Sequence, residues 1–180
     1  MANELLVKQG TPIIWRDGAA AGADYDITLC GLADGAARMG QAGDLGAAFA
    51  GRYLMVVELT FAAAPTAGLT VPIFWVPSHN NTQFPGGVSG SDGVWPADGE
   101  EDEWAKQLGA PVGILNCTND ADVIQRQSFV MAPVARYGVP VVDNNSGQAL
   151  AVCMGDSSSS SGEDDYRHRI TLVPLIDEVQ

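Results

Sequence analysis

Basic residues are scarce in this chain. Nine Lys and Arg stand against 22 Asp and Glu over 180 residues, a formal net charge of −13. No Lys/Arg cluster occurs along it. Binding to a polyanion needs a basic patch that displaces counterions, so the composition argues against DNA or RNA as a ligand. Histidine is nearly absent: His79 and His168 are the two candidates for a general base. Neither is flanked by a nucleophile motif such as GxSxG, so each reads as a structural or surface residue. The three cysteines, Cys30, Cys117 and Cys153, form no CxxC pair and no Cys/His cluster. That argues against a structural zinc site. The odd count argues against a disulfide framework and predicts buried free thiols, made in a reducing compartment. No apolar run reaches the roughly 18 residues that a membrane helix needs. The first ten residues lack the basic and apolar regions of a secretory signal. Neither GxGxxG before a helix nor GxxxxGK(S/T) occurs, so no nucleotide cofactor is expected.

Small and apolar residues are plentiful. The hydrophobic fraction is 46%, the charged fraction 17%, and there are 21 glycines and ten prolines. This fits one turn-rich β domain, long enough to bury a core unaided. Residues 52–62 carry the clearest pattern. Tyr53, Met55, Val57, Leu59 and Phe61 fall on one face, and Leu54, Val56, Glu58 and Thr60 on the other. Period two with aromatic and β-branched residues predicts a central strand. Residues 69–76 predict the next strand, paired with it as a hairpin across Pro65. The glycine-interrupted run at 31–51 predicts short strands and turns. Further strands are predicted at 25–30, 112–116, 123–134, 139–142, 149–154 and 166–179, with an edge or bulge at Pro174. Residues 77–97 predict a long loop. Asp98 can cap a short helix over 98–108, with Glu100 to Glu103 in its first turn. The expected fold is all-β, a β-sandwich or jelly roll, with that one helix and an extended N-terminal arm at 1–15 leading into a domain at 16–180.

Asp24 and Asp26 share a strand face and read best as a turn-adjacent pair. Oxygen donors at 80–103 and 156–165 could serve calcium, but neither segment matches an established loop spacing, and no metal is expected. Trp75, Trp95 and Trp104 flank the long loop. They favour core or subunit interface over a sugar platform, with Trp95 and His79 as the candidates for surface recognition. No positioned acid/base pair supports a hydrolase, and the chain is expected not to be an enzyme.

Three stretches carry a resemblance. They are MANELLVKQGTPIIW, LADGAARMGQAGDLGAAFAGRYLMVVELTF, and VMAPVARYGVPVVDNNSGQAL with YRHRITLVPLIDEVQ. Together they resemble small β-rich virion structural proteins of tailed bacteriophages, with Arg52-Tyr53 and Arg136-Tyr137-Gly138 as structural marks. The resemblance implies a decoration or cement protein synthesised in the bacterial host cytoplasm and located on the capsid surface. Its implied partners are the major capsid protein and further copies of itself, a trimer being favoured. An arm could add a strand to a neighbour's sheet. Glu4, Leu5, Leu6, Val7, Ile13, Ile14 and Trp15 are therefore the expected assembly residues, and deleting 2–15 is expected to spare the fold. The acidic loops at 85–103 and 155–165 are expected to face solvent. The other reading is a tail- or head-surface module that binds host glycan or receptor.

Overall fold

The computed structural model describes residues 5–17, 22–96, 106–121, 123–153 and 168–179. Among them run twelve strands: β1 Leu5–Gln9, β2 Ile13–Arg16, β3 Tyr25–Asp26, β4 Ala36–Met39, β5 Gly43–Asp44, β6 Arg52–Leu59, β7 Thr70–Ser78, β8 Gly93–Trp95, β9 Gly113–Asn116, β10 Gln125–Met131, β11 Tyr137–Asn144 and β12 Arg169–Val179. They pair into two six-stranded sheets, which makes the fold the β-sandwich that the period-two pattern predicts. The first sheet runs β10-β6-β12-β2-β3, with β1 also on β12; the second runs β8-β4-β11-β7-β9, with β5 also on β11. Pairing is antiparallel apart from the short β2–β3 contact. The partners nest, first with last: β2 with β12, β4 with β11, β6 with β10, and β7 with β9. A long hairpin wrapped around a sandwich pairs in this way.

The core follows from alternation. Tyr53, Met55, Val57 and Leu59 point inward from β6 at 0–1% exposure, opposite Ile73, Val71 and Val142 of the second sheet. Trp15 and Trp75 meet edge-to-face, ring centroids 5.7 Å apart. These rings lie on the backbone of Gly43 and Gly138, which are paired across β5 and β11. A Cβ on either glycine would overlap the indole above it. A second apolar cluster lies outside the second sheet. There Val88, Trp95 and Leu108 pack on Ala37, Met39, Val139 and Val141.

Several expectations are corrected. β6 and β7 are not a hairpin, because they belong to different sheets. The Pro65 segment carries the chain across the sandwich, so the two strands meet different partners. Of the strand expected at 149–154, residues 149–153 form none, with Leu150 making one isolated bridge to Phe61, and Met154 lies outside the described residues. The segment 77–97 holds a strand, β8; within it Phe84, Val88 and Trp95 pack on the second sheet, while residues such as His79, Pro85, Ser89 and Ser91 face solvent. Of the helix expected over 98–108, residues 106–108 are helical and 98–105 lie outside the described residues. Cys30 and Cys153 are joined as a disulfide, with Cα atoms 5.2 Å apart, so Cys117 alone is the buried free thiol.

The boundary between arm and domain at 15/16 falls inside β2. β1 and β2 pair one after the other along the same edge of β12, and Trp15 is fully buried, its indole N–H donating to Gln41 O at 2.8 Å. Between Gln9↔Leu175 and Ile13↔Leu172, three residues face two, which is a bulge opposite Pro174. Gly10 N–H donates there to Pro174 O at 2.9 Å.

Two stability tests follow from the packing. Gly138→Ala should lower the unfolding free energy by about 3 kcal/mol in urea titration, because the indole of Trp75 cannot retreat from a packed core. Gly51→Ala, with open space around its position, should stay within about 0.5 kcal/mol of the parent; equal effects would refute the account. Replacing Cys30 and Cys153 by Ser opens a link spanning 123 residues. It should cost about 3 kcal/mol and lower the melting temperature, and an unchanged melt under non-reducing conditions would count against the bond.

Candidate interaction surfaces

Past Arg52, which pairs with Leu175, β6 ends while β12 continues. Among the described residues, Ile176 to Val179 pair with β1 alone. The result is a two-stranded ribbon, Leu5–Gln9 against Leu175–Val179, that overhangs the end of the sandwich. Val7 is 55% exposed and Ile176 47%. At the root of the ribbon lies a cavity of about 520 Å³. Ile13, Leu45, Phe49, Tyr53 and Ile176 supply its apolar wall, and Ala48 to Arg52 its far side. The expected assembly residues divide accordingly. Glu4 lies outside the described residues; Leu5 and Leu6 place their backbone in β1; Val7 is on the surface of the ribbon. Ile13 packs against the core, Ile14 is half-buried, and Trp15 is a core residue unable to meet a partner.

The recognition candidates also separate. Trp95 is 4% exposed and donates its indole N–H to Gly86 O at 2.6 Å, so it offers no stacking face to a sugar. Trp75 is likewise interior, and Trp104 lies outside the described residues. His79 is exposed, at a shallow depression with Pro77, Phe84, Pro85 and Val134. A second depression shares Pro77 and Val134 and adds Trp75, Val130 and Pro133. Val134 is 83% exposed between them.

The other polar candidates have internal work. His168 is buried; its Nε2 faces Ala151 O at 2.9 Å and its Nδ1 accepts from Thr60 N at 3.3 Å, which fixes the neutral tautomer with the proton on Nε2. Asp24 accepts from Ile14 N at 2.8 Å, which ties the turn to β2. Asn80 Oδ1 accepts from Thr82 N and Gln83 N, each at 3.1 Å, and so shapes the start of the long loop. Asp92 is held by Arg38 through two contacts of 2.8 Å and by Thr28 through its amide and hydroxyl. Donor atoms of Asp17, Cys30 and Cys153 lie within 4.8 Å of one another. The two sulfurs are bonded together, so they are not thiolate ligands.

Glu58 was not singled out by sequence, although it is the one acidic residue on the most apolar strand. Its side chain is 5% exposed and bridges Arg126 of β10 and Arg169 of β12, with which it is in register on either side. Beside this triad the outer face of the first sheet is partly apolar: Leu54, Val56 and Val173 are half-buried and belong to neither core cluster, Val130 is 62% exposed, and Ser128 and Thr171 flank Val56. Burial pushes the Glu58 carboxyl up, but hydrogen bonds and charge from Arg169 and Arg126 outweigh it and hold the group below its ordinary range. Asp92 behaves alike, its burial outweighed by Arg38 and Thr28. The Arg136 guanidinium lowers Asp44 through a bidentate contact at 2.5 and 2.6 Å. Asp143 moves the other way, raised by burial.

Comparison with protein-family models, with curated proteins and with solved structures finds no match to this chain.

The carboxyl shifts set a pH dependence. A carboxyl depressed in the folded state contributes stability above its unfolded pKa, and that stability is lost as pH falls through the folded value. Glu58, Asp92 and Asp44 act in this sense and Asp143 opposes them. The urea midpoint should therefore fall steeply below about pH 4. Glu58→Gln should cost about 2 kcal/mol at neutral pH and flatten part of that fall; a variant with the parental acid profile would remove Glu58 from the account.

Proposed function

We propose that this chain is a bacteriophage virion structural protein, a decoration or cement protein that binds the outer head surface and stabilises contacts between major capsid subunits. The observation that carries this reading is the ribbon: a paired, partly apolar strand edge held out from a cross-linked sandwich. A strand edge of that kind recruits a neighbour through backbone hydrogen bonds, with apolar side chains adding affinity. The resemblance of the three stretches to tailed-phage virion proteins supports the same reading. So does the nested strand pairing, which we read as the jelly-roll arrangement expected from the sequence. The family marks have structural work in this fold: Arg52 pairs with Asp177 at 2.6 Å, Arg136 lies over the Tyr137 ring, and Gly138 seats Trp75. A net charge of −13 keeps free copies soluble before assembly.

A second reading, a tail- or head-surface module for host glycan or receptor, draws on the exposed His79 depression with Phe84, Pro85 and Val134. Copy number separates the two. Quantitative mass spectrometry of purified particles against the major capsid protein should find on the order of hundreds of copies for a lattice protein. A handful would move the protein to the tail or a vertex and favour the second reading, to be tested by glycan binding with and without His79→Ala. The burial of Trp15 changes the truncation worth making. Removing residues 2–9 takes away β1 but leaves β2 and its indole. The shortened chain should fold and fail to occupy particles, and full occupancy would refute a role for the ribbon.

A further inference from the structure

We propose that the β1–β12 ribbon and the cleft at its root form a self-association surface, in which the tip of β12 from one copy pairs antiparallel with the tip of β12 from a second. This names a partner for the surface on which the proposed function rests, and it is testable without a particle. Five residues paired with five are marginal as an isolated ribbon in water, because one face and both edges remain solvated. Among the described residues, the tip of β12 has β1 on one edge and no strand on the other, since β6 stops at Arg52. The cleft runs along the face of β12 beside the point where β6 stops, with Gly10, Thr11 and Ile13 on one side and Ala48 to Arg52 on the other. An entering strand would find, among the described residues, no strand on that edge of Ile176 to Val179, and beside it an apolar floor of Leu45, Phe49 and Tyr53.

A second copy fits this place for two reasons. Antiparallel pairing of identical strands is symmetric, so each copy donates and receives the same element and the contact closes on itself. Charge favours the same meeting point. Two molecules carrying −13 each repel over most of their surface. On the ribbon, the two carboxylates each have a cation: Asp177 with Arg52 at 2.6 Å and Glu178 with Lys8 at 3.9 Å. The ribbon is thus locally neutral on an acidic molecule. Docking would give a continuous β1-β12-β12-β1 arrangement, with Ile176 of each copy over the cleft of the other. Lys8 on the outer strand then limits further edge-to-edge growth.

The test is light scattering coupled to size-exclusion chromatography on the full chain at about 100 μM. The expected mass is at least about twice the 18.8 kDa of one chain. Ile176→Glu places a carboxylate in the contact and should return the mass to that of one chain. Ala48→Glu, on the exposed far wall of the cleft, should do the same with an unchanged thermal melt, and it serves if Ile176→Glu disturbs the ribbon itself. A monomeric parent at that concentration, or an assembly that survives Ala48→Glu, would overturn the proposal. Either result leaves the copy-number test intact, since a monomer can still occupy a capsid lattice.

Discussion

The first sheet depends on its last strand. β12 lies between β6 on one side and β1 with β2 on the other. Among the described residues, β1 and β2 have no other antiparallel neighbour, so the N-terminal strands have nowhere to pair until the C-terminal segment is in place. Such long-range closure is entropically expensive and slows folding relative to local pairing. Two features secure it. Glu58 ties β12 to β6 and β6 to β10 at one register through Arg169 and Arg126. The Cys30–Cys153 bond holds the segment that precedes β12 against the one that follows β3, and Gly31 N–H donates to Ala151 O alongside it at 3.1 Å.

The few cations act as clamps between distant parts of the chain. Arg38 joins β4 to Asp92 in the covering loop, and Arg136 joins the start of β11 to Asp44 of β5. Guanidinium suits this because its planar fork meets a carboxylate through two parallel hydrogen bonds, a geometry that an ammonium cannot match. At least six of the nine basic residues are ion-paired in this way or at the ribbon. Their partners are acidic groups that would otherwise repel one another within the fold.

Alternation made β6 legible in the sequence, because both its faces carry a signal: the inner one is all apolar, and the outer one ends at Glu58. The glycine-rich run at 31–51 was legible as short strands and turns, since glycine at that density disfavours a helix, and β4 and β5 lie there. What could not be read was which strand meets which. Residues 52–62 and 69–76 look like a hairpin because they are neighbours in sequence with a proline turn between them. No local pattern records that the turn crosses the sandwich. The Cys30–Cys153 bond was hidden for the same reason, with 123 residues between its ends. The sequence favours core or interface for Trp95, with surface recognition as the other reading, and Trp95 is buried. The preceding loop folds back on the second sheet, and Gly86, inside that loop, supplies its hydrogen-bond acceptor. The assembly residues were half legible: apolar residues near the N-terminus did mark strands, but only tertiary pairing separates the exposed Val7 from the buried Trp15.

That separation decides how the N-terminus can act. An arm that swings free can be ordered by a partner at the cost of its conformational entropy. β1 has already met that cost by pairing with β12, so a neighbour meets a preformed edge and loses less on binding. Elsewhere the sheet margins are short or stapled. β3 has two residues and β8 three, and Gln125 and Gln127 cap Thr118 N and Asn116 N at the corner of β9 and β10. These are the ordinary means of blunting an edge against unwanted pairing. Among the described residues the tip of β12 carries no such cap on the side away from β1, and its two carboxylates are paired with Arg52 and Lys8. Among the described residues, the place where a strand could be added beside β12 is set by Arg52, where β6 stops, and by Leu175, from which β12 runs on.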